Sequence, residues 1–211
     1  MSNVTFFHAP QSRSTGVLLL LEELGRPPVE LRLLDIRKGD QLKSEFLAIN
    51  PMGKVPTLLD GGSVVTEQVA VYQYLAERFP QAGLAPAVGD ALRGPFLRWL
   101  AFYGSSYEPA LIDRYMKSPA VPRATSPYGD FDTMYQALLG QLSRGPWMLG
   151  ERFSAADVLW GSALEWTMGF GMLPRHAVFD DYVARFNARP AIAAGKAWEA
   201  RLVTELAARQ G

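Results

Sequence analysis

The chain has 211 residues, of which 48% are hydrophobic and 20% are charged, as is usual for a globular protein with a sizeable core. Its 21 lysines and arginines balance 21 aspartates and glutamates, which argues against a nucleic-acid partner. Cysteine is absent, which excludes disulfides, thiolate metal sites and a cysteine nucleophile. Without a signal-peptide pattern or an apolar run long enough to span a bilayer, we expect a cytoplasmic location and no membrane partner.

The first 80 residues alternate predicted strands and helices. The predicted elements are a strand over 4–7, a helix over 14–24, a strand over 29–33, a short helix over 43–49, a hairpin with strands over 55–59 and 63–66, and a helix over 67–79. The hairpin is indicated by the run Asp60-Gly61-Gly62 between two apolar segments. This order of elements is typical of a thioredoxin-like α/β domain.

Beyond residue 80 the strand pattern disappears. Residues 81–94 are rich in glycine, proline and alanine and are predicted to be a linker. Helices are predicted over 96–116, 131–143, 155–170, 179–188 and 191–209. The predicted fold is therefore an α/β thioredoxin-like N-terminal domain over 1–80, a linker over 81–94, and an all-α helical C-terminal domain over 95–211.

The segment over residues 50–68 suggests a ligand site. Val55-Pro56 is an X-Pro bond at a strand entrance; such a bond can be cis, and it leaves the backbone of Val55 available to pair with a ligand. Glu67 and Gln68 stand at the start of a predicted helix, where backbone N–H groups favour an anion.

Several motifs in order resemble those of cytosolic glutathione S-transferases, and in particular of bacterial members with a serine active site. They are NPMGKVPTLLDGGSVVTEQ over 50–68, HAPQSRS over 8–14 and FSAAD over 153–157. The resemblance covers nearly the whole chain. It implies glutathione as the co-substrate, a small hydrophobic electrophile as the second substrate, a role in detoxification, and a homodimer.

The resemblance implies that Ser12 activates the thiol of glutathione. A free thiol has a pKa of about 8.5, and one charge-assisted hydrogen bond at a helix start, worth about 1.5–3 kcal/mol, is enough to lower it substantially. Ser14 lies two residues further on and is the alternative, because its hydroxyl reaches the same sulfur if the helix begins later. His8, which precedes the motif, is interpreted as a turn residue rather than as a base.

The resemblance also implies how the rest of glutathione is bound. Val55 and Pro56 would hold the cysteinyl backbone, Lys54 would meet the glycine carboxylate, and Glu67 would pair with the γ-glutamyl ammonium. Gln68 would take the γ-glutamyl carboxylate together with the helix amides, although relatives usually have serine there.

The second substrate would be bound by the helical domain. Tyr103 and Tyr107 are separated by four residues on one helix and could form an apolar wall facing the thiol, and Trp166 ends a later helix. An aromatic stripe at helical spacing is also the usual pattern of a buried core.

Ser154 and Asp157 match a helix capping box with aspartate at its fourth position, which we interpret as structural.

Two other functions fit the same sequence. One is a binding or interaction protein that keeps the glutathione transferase fold without turnover, since a fold does not guarantee a function. The other is a glutathione-dependent isomerase, dehalogenase or ether-cleaving enzyme, which would use the same thiolate on a specific metabolite.

Overall fold

The structure is a computed structural model that describes residues 4–209, and these residues form two compact units. The first unit combines residues 4–82 with residues 189–209, and the second contains residues 83–188. The sequence analysis placed residues 189–209 in the helical domain. The structure instead groups them with the α/β unit, because the last helix packs along the first one.

The first unit is built on a four-stranded sheet. Its elements are β1 (Val4–His8), α1 (Thr15–Glu23), β2 (Val29–Leu33), α2 (Ser44–Leu47), β3 (Thr57–Asp60), β4 (Ser63–Val65), α3 (Gln68–Arg78) and, from the end of the chain, α9 (Pro190–Ala208). The strands lie in the order β2-β1-β3-β4, with β1 and β2 parallel and the other neighbours antiparallel. This is the thioredoxin-like arrangement that the sequence predicted.

The apolar face of α1 explains why α9 joins this unit. Residues 17–21 of α1 are all buried, which is more than a single amphipathic stripe requires. Gly195 of α9 faces α1 so closely that a Cβ there would lie 2.6 Å from Leu19 Cδ2. At the N-terminal end of α9, the Arg189 guanidinium donates to both carboxylate oxygens of Glu23 at 2.6 and 2.7 Å.

The second unit is helical, as predicted. Its helices are α4 (Arg93–Phe102), α5 (Glu108–Met116), α6 (Phe131–Leu142), α7 (Ala155–Gly169) and α8 (Ala177–Asn187). The helix predicted over 96–116 is interrupted by a π-helical turn over Tyr103–Tyr107. Gly104, Ser105 and Ser106 in this turn have a weak preference for an α-helix, and Pro109, just after it, has no N–H to donate to the carbonyl oxygen of Ser105.

The predicted capping box begins α7. The carboxylate of Asp157 accepts hydrogen bonds from the backbone N–H of Ser154 at 2.8 Å and from its hydroxyl at 3.0 Å. The other carboxylate oxygen accepts from the backbone N–H of Met148 and from the hydroxyl of Tyr182. The motif therefore does more than start a helix, because it also fixes a preceding loop and α8 to α7.

Within residues 4–209, no helix is both long and apolar enough to cross a membrane.

Candidate active site

Three segments meet at one edge of the sheet in the first unit. Because β1 and β3 are antiparallel, with Phe7 opposite Thr57, the loop that leaves β1 lies beside the start of β3. The side-chain amide of Gln68, at the start of α3, donates to the backbone oxygen of Arg13 in that loop at 3.3 Å. The residues predicted for thiol activation and those predicted for glutathione binding are thus brought to one place.

The two candidate serines differ in exposure. The side chain of Ser14 is fully buried, whereas that of Ser12 is half-buried. Their hydroxyl oxygens lie 2.7 Å apart, and Ser12 Oγ also donates to the backbone oxygen of Ala9 at 2.7 Å and accepts from the backbone N–H of Ser14 at 3.1 Å. Of the two hydroxyls, that of Ser12 is the one accessible to a ligand.

A histidine and a glutamate lie behind Ser14. His8 Nδ1 lies 2.7 Å from Ser14 Oγ, and His8 Nε2 lies 2.9 Å from a carboxylate oxygen of Glu199 on α9. The interpretation of His8 as a turn residue was therefore wrong, because His8 is the last residue of β1 and its side chain is fully buried.

Glu199 is held as a carboxylate by the groups around it. Burial by itself raises the pKa of Glu199, but hydrogen bonds from His8, from the backbone N–H of Gln11 at 2.6 Å and from the hydroxyl of Thr15 at 2.8 Å outweigh it and lower the pKa. One carboxylate from the end of the chain thus fixes both ends of the loop that carries Ser12.

The segment before β3 has the features expected of a backbone-binding element. The Val55-Pro56 peptide bond is cis, and Pro56 is buried. The carbonyl oxygen of Lys54 accepts from the Asn50 side-chain amide and the Thr57 hydroxyl, both at 2.9 Å, while the Lys54 side chain is exposed. In the described part of the chain, no protein group pairs with the backbone N–H or C=O of Val55.

The start of α3 has two unusual features. Glu67 has a φ of 64°, a conformation that costs a non-glycine residue about 1–3 kcal/mol and that is concentrated at functional sites. Its side chain is exposed. Gln68 is half-buried, and its side-chain oxygen is buried without a hydrogen-bond partner among the described residues. A buried acceptor of this kind is usually satisfied by a ligand or by water.

The aromatic residues predicted to bind the second substrate lie in the helical unit. Tyr103 and Tyr107 pack against Trp160, with ring centroids 5.7 and 4.9 Å away, and both tyrosines are buried. The hydroxyl oxygen of Tyr107 lies 2.7 Å from Thr167 Oγ1, so this side chain has the surroundings of a core residue. Trp166 is 41% exposed and contacts the ring of Phe170.

Comparisons with known proteins agree with this geometry. Residues 2–77 match the glutathione S-transferase N-terminal domain family. Glutathione S-transferase hmp2 of Hypomyces subiculosus is 32% identical over 67% of this chain and 71% of its own, and the disulfide-bond oxidoreductase YfcG of Escherichia coli K12 is 29% identical over 89% and 92%. A crystal structure of a glutathione transferase homologue from Sulfitobacter with bound glutathione is 27% identical and superimposes with a TM-score of 0.73 over 93% of this chain and 98% of that one. The chain therefore belongs to the glutathione S-transferase family, and the protein is a glutathione transferase.

The residues that sequence reasoning missed are those that support Ser12 from behind. Glu199 stands 191 positions after His8, and no local pattern marks a glutamate on a long helix as the partner of a strand residue. Gln11 has a φ of 60°, which turns its backbone N–H toward Glu199. The one available signal was the closeness of a histidine to the serine motif.

Proposed function

We propose that the first unit binds glutathione and that the hydroxyl of Ser12 stabilises its thiolate for attack on an electrophile. The observation that carries this proposal is the pair of serines. Ser14 is fully buried and fixed among protein groups, while Ser12 is half-buried and stands at the exposed end of the same hydrogen-bonded chain. The structure thus supports Ser12, of the two candidates, as the residue that contacts sulfur.

The chemistry asked of Ser12 is modest. Lowering a thiol pKa by two units requires about 2.7 kcal/mol of preference for the anion. One hydrogen bond to a charged group contributes about 1.5–3 kcal/mol, and a helix N-terminus adds up to about 1 kcal/mol or more. Ser12 lies three residues before α1 begins at Thr15, so both contributions are available at this position.

The binding of the tripeptide follows from the neighbouring groups. The free backbone groups of Val55 can pair with the cysteinyl residue of glutathione. The unsatisfied side-chain oxygen of Gln68 can accept from the γ-glutamyl ammonium, and the exposed carboxylate of Glu67 supplies its counter-charge. This differs from the expectation that Gln68 takes the γ-glutamyl carboxylate, because its side-chain amide already donates to the backbone oxygen of Arg13. Lys54 precedes Val55 in the sequence and its side chain is exposed, so it remains the candidate partner of the glycine carboxylate.

The proposal is tested by comparing Ser12→Ala, Ser14→Ala and Ser63→Ala, where Ser63 is an exposed serine of β4 and serves as the matched control. We expect Ser12→Ala to lower kcat/KM with an aryl halide by a factor of about 100, which corresponds to about 2.7 kcal/mol of lost thiolate stabilisation. The affinity for S-methylglutathione, which has no thiol, should stay within a factor of about three, because an alanine removes only the group that contacts sulfur. Ser63→Ala should match the wild type.

Two results contradict the assignment. An unchanged kcat/KM in Ser12→Ala shows that Ser12 does not act on the sulfur. A large loss in Ser14→Ala with none in Ser12→Ala moves the role to the alternative serine.

The reaction that the thiolate carries out depends on the electrophile, which a panel of substrates can identify. A panel should contain an aryl halide, an α,β-unsaturated carbonyl compound and a small disulfide, the last because the relative YfcG is a disulfide-bond oxidoreductase. Since this chain has no cysteine, any disulfide exchange here must use the sulfur of glutathione itself. Glutathione binding without turnover on any member would favour the binding-protein alternative.

The helical unit is proposed to bind that electrophile. Of the three predicted aromatic residues, Trp166 is the exposed one, so Trp166→Ala should raise the KM for a hydrophobic electrophile more than Tyr103→Phe does. We also propose that the protein is a homodimer in the cytoplasm, as the family implies. Sedimentation tests the oligomeric state, and cell fractionation tests the location.

A further inference from the structure

The four side chains behind the proposed sulfur position form a continuous hydrogen-bonded chain. From the surface inward the distances are 2.7 Å between the hydroxyls of Ser12 and Ser14, 2.7 Å from Ser14 Oγ to His8 Nδ1, and 2.9 Å from His8 Nε2 to Glu199. Each distance is that of a good hydrogen bond, so a proton can move along the chain without a gap. The inference below rests on the proposed function, since it assigns the destination of the thiol proton.

The positions of the hydrogens follow from the network. Glu199 is ionised and can only accept, so His8 Nε2 carries a proton and donates it. In neutral His8 the other nitrogen, Nδ1, is then an acceptor, and the hydroxyl of Ser14 donates to it. Ser14 Oγ in turn accepts from the backbone N–H of Ala9 at 3.1 Å. The backbone oxygen of Ala9 competes for the protons of both hydroxyls, because it lies 2.7 Å from Ser12 Oγ and 3.1 Å from Ser14 Oγ. The Ser12 hydroxyl must therefore turn from Ala9 to Ser14 Oγ, also 2.7 Å away, for the transfer to proceed.

We propose that His8 receives the thiol proton of bound glutathione through the hydroxyls of Ser12 and Ser14, with Glu199 fixing the imidazole. The S–H bond breaks and its proton passes to Ser12 Oγ, the original Ser12 proton passes to Ser14 Oγ, and the original Ser14 proton passes to His8 Nδ1. The products are a thiolate that accepts from the Ser12 hydroxyl and an imidazolium that donates to Glu199 and Ser14. No electron pair leaves the system, and the net charge of the site is unchanged.

The surroundings of His8 favour this role over a purely structural one. From α9, Glu199 is the charged group within hydrogen-bond distance of the imidazole. Just after β2, the backbone N–H of Leu34 donates to the backbone oxygen of His8, and within β1 the ring of Phe6 lies 5.6 Å from the imidazole. The new positive charge therefore forms beside a carboxylate and, through two hydroxyls, opposite the thiolate that it balances.

The proposal has a consequence that simple hydroxyl stabilisation lacks. If the thiol proton stays on His8, bound glutathione becomes a thiolate without releasing a proton to solvent. If the proton leaves, one proton is released for each thiolate formed. His8 and Glu199 touch no part of the substrate and are positioning residues by this argument, so proton release is the readout that separates their role from packing.

The experiment measures two quantities for wild-type protein at pH 7.5. The thiolate fraction of bound glutathione is read from its ultraviolet absorption, and the protons released on binding are read by calorimetry in buffers of different ionisation enthalpy. S-methylglutathione, which lacks the thiol, gives the proton release due to the rest of the tripeptide and is subtracted. We expect fewer than about 0.3 protons released per thiolate.

Two variants test the chain, and a third is the matched control. In His8→Gln the thiol pKa should return toward the free value of about 8.5, and the thiolate that remains should appear with about one proton released. Glu199→Gln keeps the size of the side chain but removes the charge, and it should raise the thiol pKa by about one unit. Glu23→Gln removes a comparably buried carboxylate that contacts Arg189, the residue before α9, but not His8, and it should leave both readings unchanged.

The outcomes separate the inference from the proposed function. A full thiolate band with one proton released per thiolate overturns the role of His8 and leaves Ser12 activation standing. Equal changes in Glu199→Gln and Glu23→Gln also overturn it, because they show that only the attachment of α9 matters. If glutathione binds wild-type protein and stays a thiol, the proposed function itself fails, and the inference fails with it.

Discussion

Asp157 in the helical unit and Glu199 in the first unit are both acidic side chains surrounded by hydrogen-bond donors, yet they differ in pKa and in the origin of those donors. Asp157 is fully buried, and burial raises its pKa to about 6 even though four hydrogen bonds oppose the shift. Glu199 keeps 12% of its side chain exposed and has a lowered pKa. The comparison teaches that a set of several hydrogen-bond donors can lower the pKa of a carboxylate or fail to offset the rise caused by burial, depending on how completely water is excluded.

The two side chains also do different work. The donors to Asp157 come from Met148, Ser154 and Tyr182, all in the helical unit, and they fix a loop and two helices together. The donors to Glu199 include His8 and the backbone of Gln11, which flank the proposed thiol site. Asp157 therefore stabilises the fold of the helical unit. Glu199, on the last helix, instead holds residues beside the proposed thiol site.

The largest expected effect is the loss of Asp157. Asp157→Ala leaves the N–H of Met148 and the hydroxyl of Tyr182 buried without acceptors, each at a cost of about 1–3 kcal/mol, so we expect at least about 3 kcal/mol of lost stability in urea unfolding. Asp157→Asn keeps one acceptor oxygen and should lose less. A loss below about 1 kcal/mol in the alanine variant would show that water replaces the carboxylate.

A smaller effect is expected from two glycines, one in each unit, where helices approach closely. In Gly161→Ala the new Cβ would lie 2.4 Å from the buried ring of Phe186, and the resulting overpacking should cost about 2 kcal/mol net of the helix propensity gained. In Gly195→Ala the new Cβ would lie 3.1 Å from the backbone of Leu19, so α9 must move away from α1.

The two glycine variants should differ in their effect on glutathione. Displacing α9 lengthens the contact of Glu199 with His8, so Gly195→Ala should raise the pKa of the bound thiol, whereas Gly161→Ala should lower stability alone. Ultraviolet titration of bound glutathione in both variants checks this. A normal thiol pKa in a folded Gly195→Ala protein would contradict the role given to α9.

The smallest expected effect is the pH dependence of stability, where the two carboxylates should show opposite signs. Glu199 has a lower pKa in the folded state than its ordinary value of 4.5. Its contribution to the free energy of unfolding is therefore complete above pH 4.5 and is lost as the pH falls through the pKa of the folded state. The raised pKa of Asp157 means that the folded state favours its protonated form, so its contribution declines as the pH rises from about 4 to about 6.

The measurement is the difference in unfolding free energy between wild type and each amide variant, recorded from pH 3.5 to 7. For Glu199→Gln the difference should be constant above pH 4.5 and shrink below it. For Asp157→Asn the advantage of the wild type should shrink toward pH 6. Parallel curves for the two variants would contradict the comparison.

The same contrast explains what could be predicted from the sequence. The capping box of Ser154 and Asp157 spans four consecutive positions, so its partners are determined by helix geometry and can be found by inspection. The hairpin around Gly61 is likewise local and was predicted, and the bond before Pro56, which the sequence allows to be cis, is cis. The thioredoxin-like order of strands and helices could be predicted because each element has its own periodicity.

What could not be predicted depends on distant residues. The contact between His8 and Glu199 joins positions 191 apart, and it exists because α9 packs on α1 instead of remaining with the other helices. The same packing explains why the domain boundary expected for the last helix differs from the structure. The burial of Tyr107 followed a pattern that fits a binding wall and a core equally well, and only its contacts with Trp160 and Thr167 distinguish the two.

The central claim is that this protein ionises the thiol of glutathione at Ser12. The most direct test is the ultraviolet thiolate absorption of glutathione bound to wild-type protein, recorded as the pH is varied and compared with Ser12→Ala. The account predicts a thiol pKa at least one unit below the free value of about 8.5 in the wild type and a return toward that value in the variant. A bound thiol that titrates at its free value in the wild type, or a lowered pKa that survives in Ser12→Ala, would contradict it.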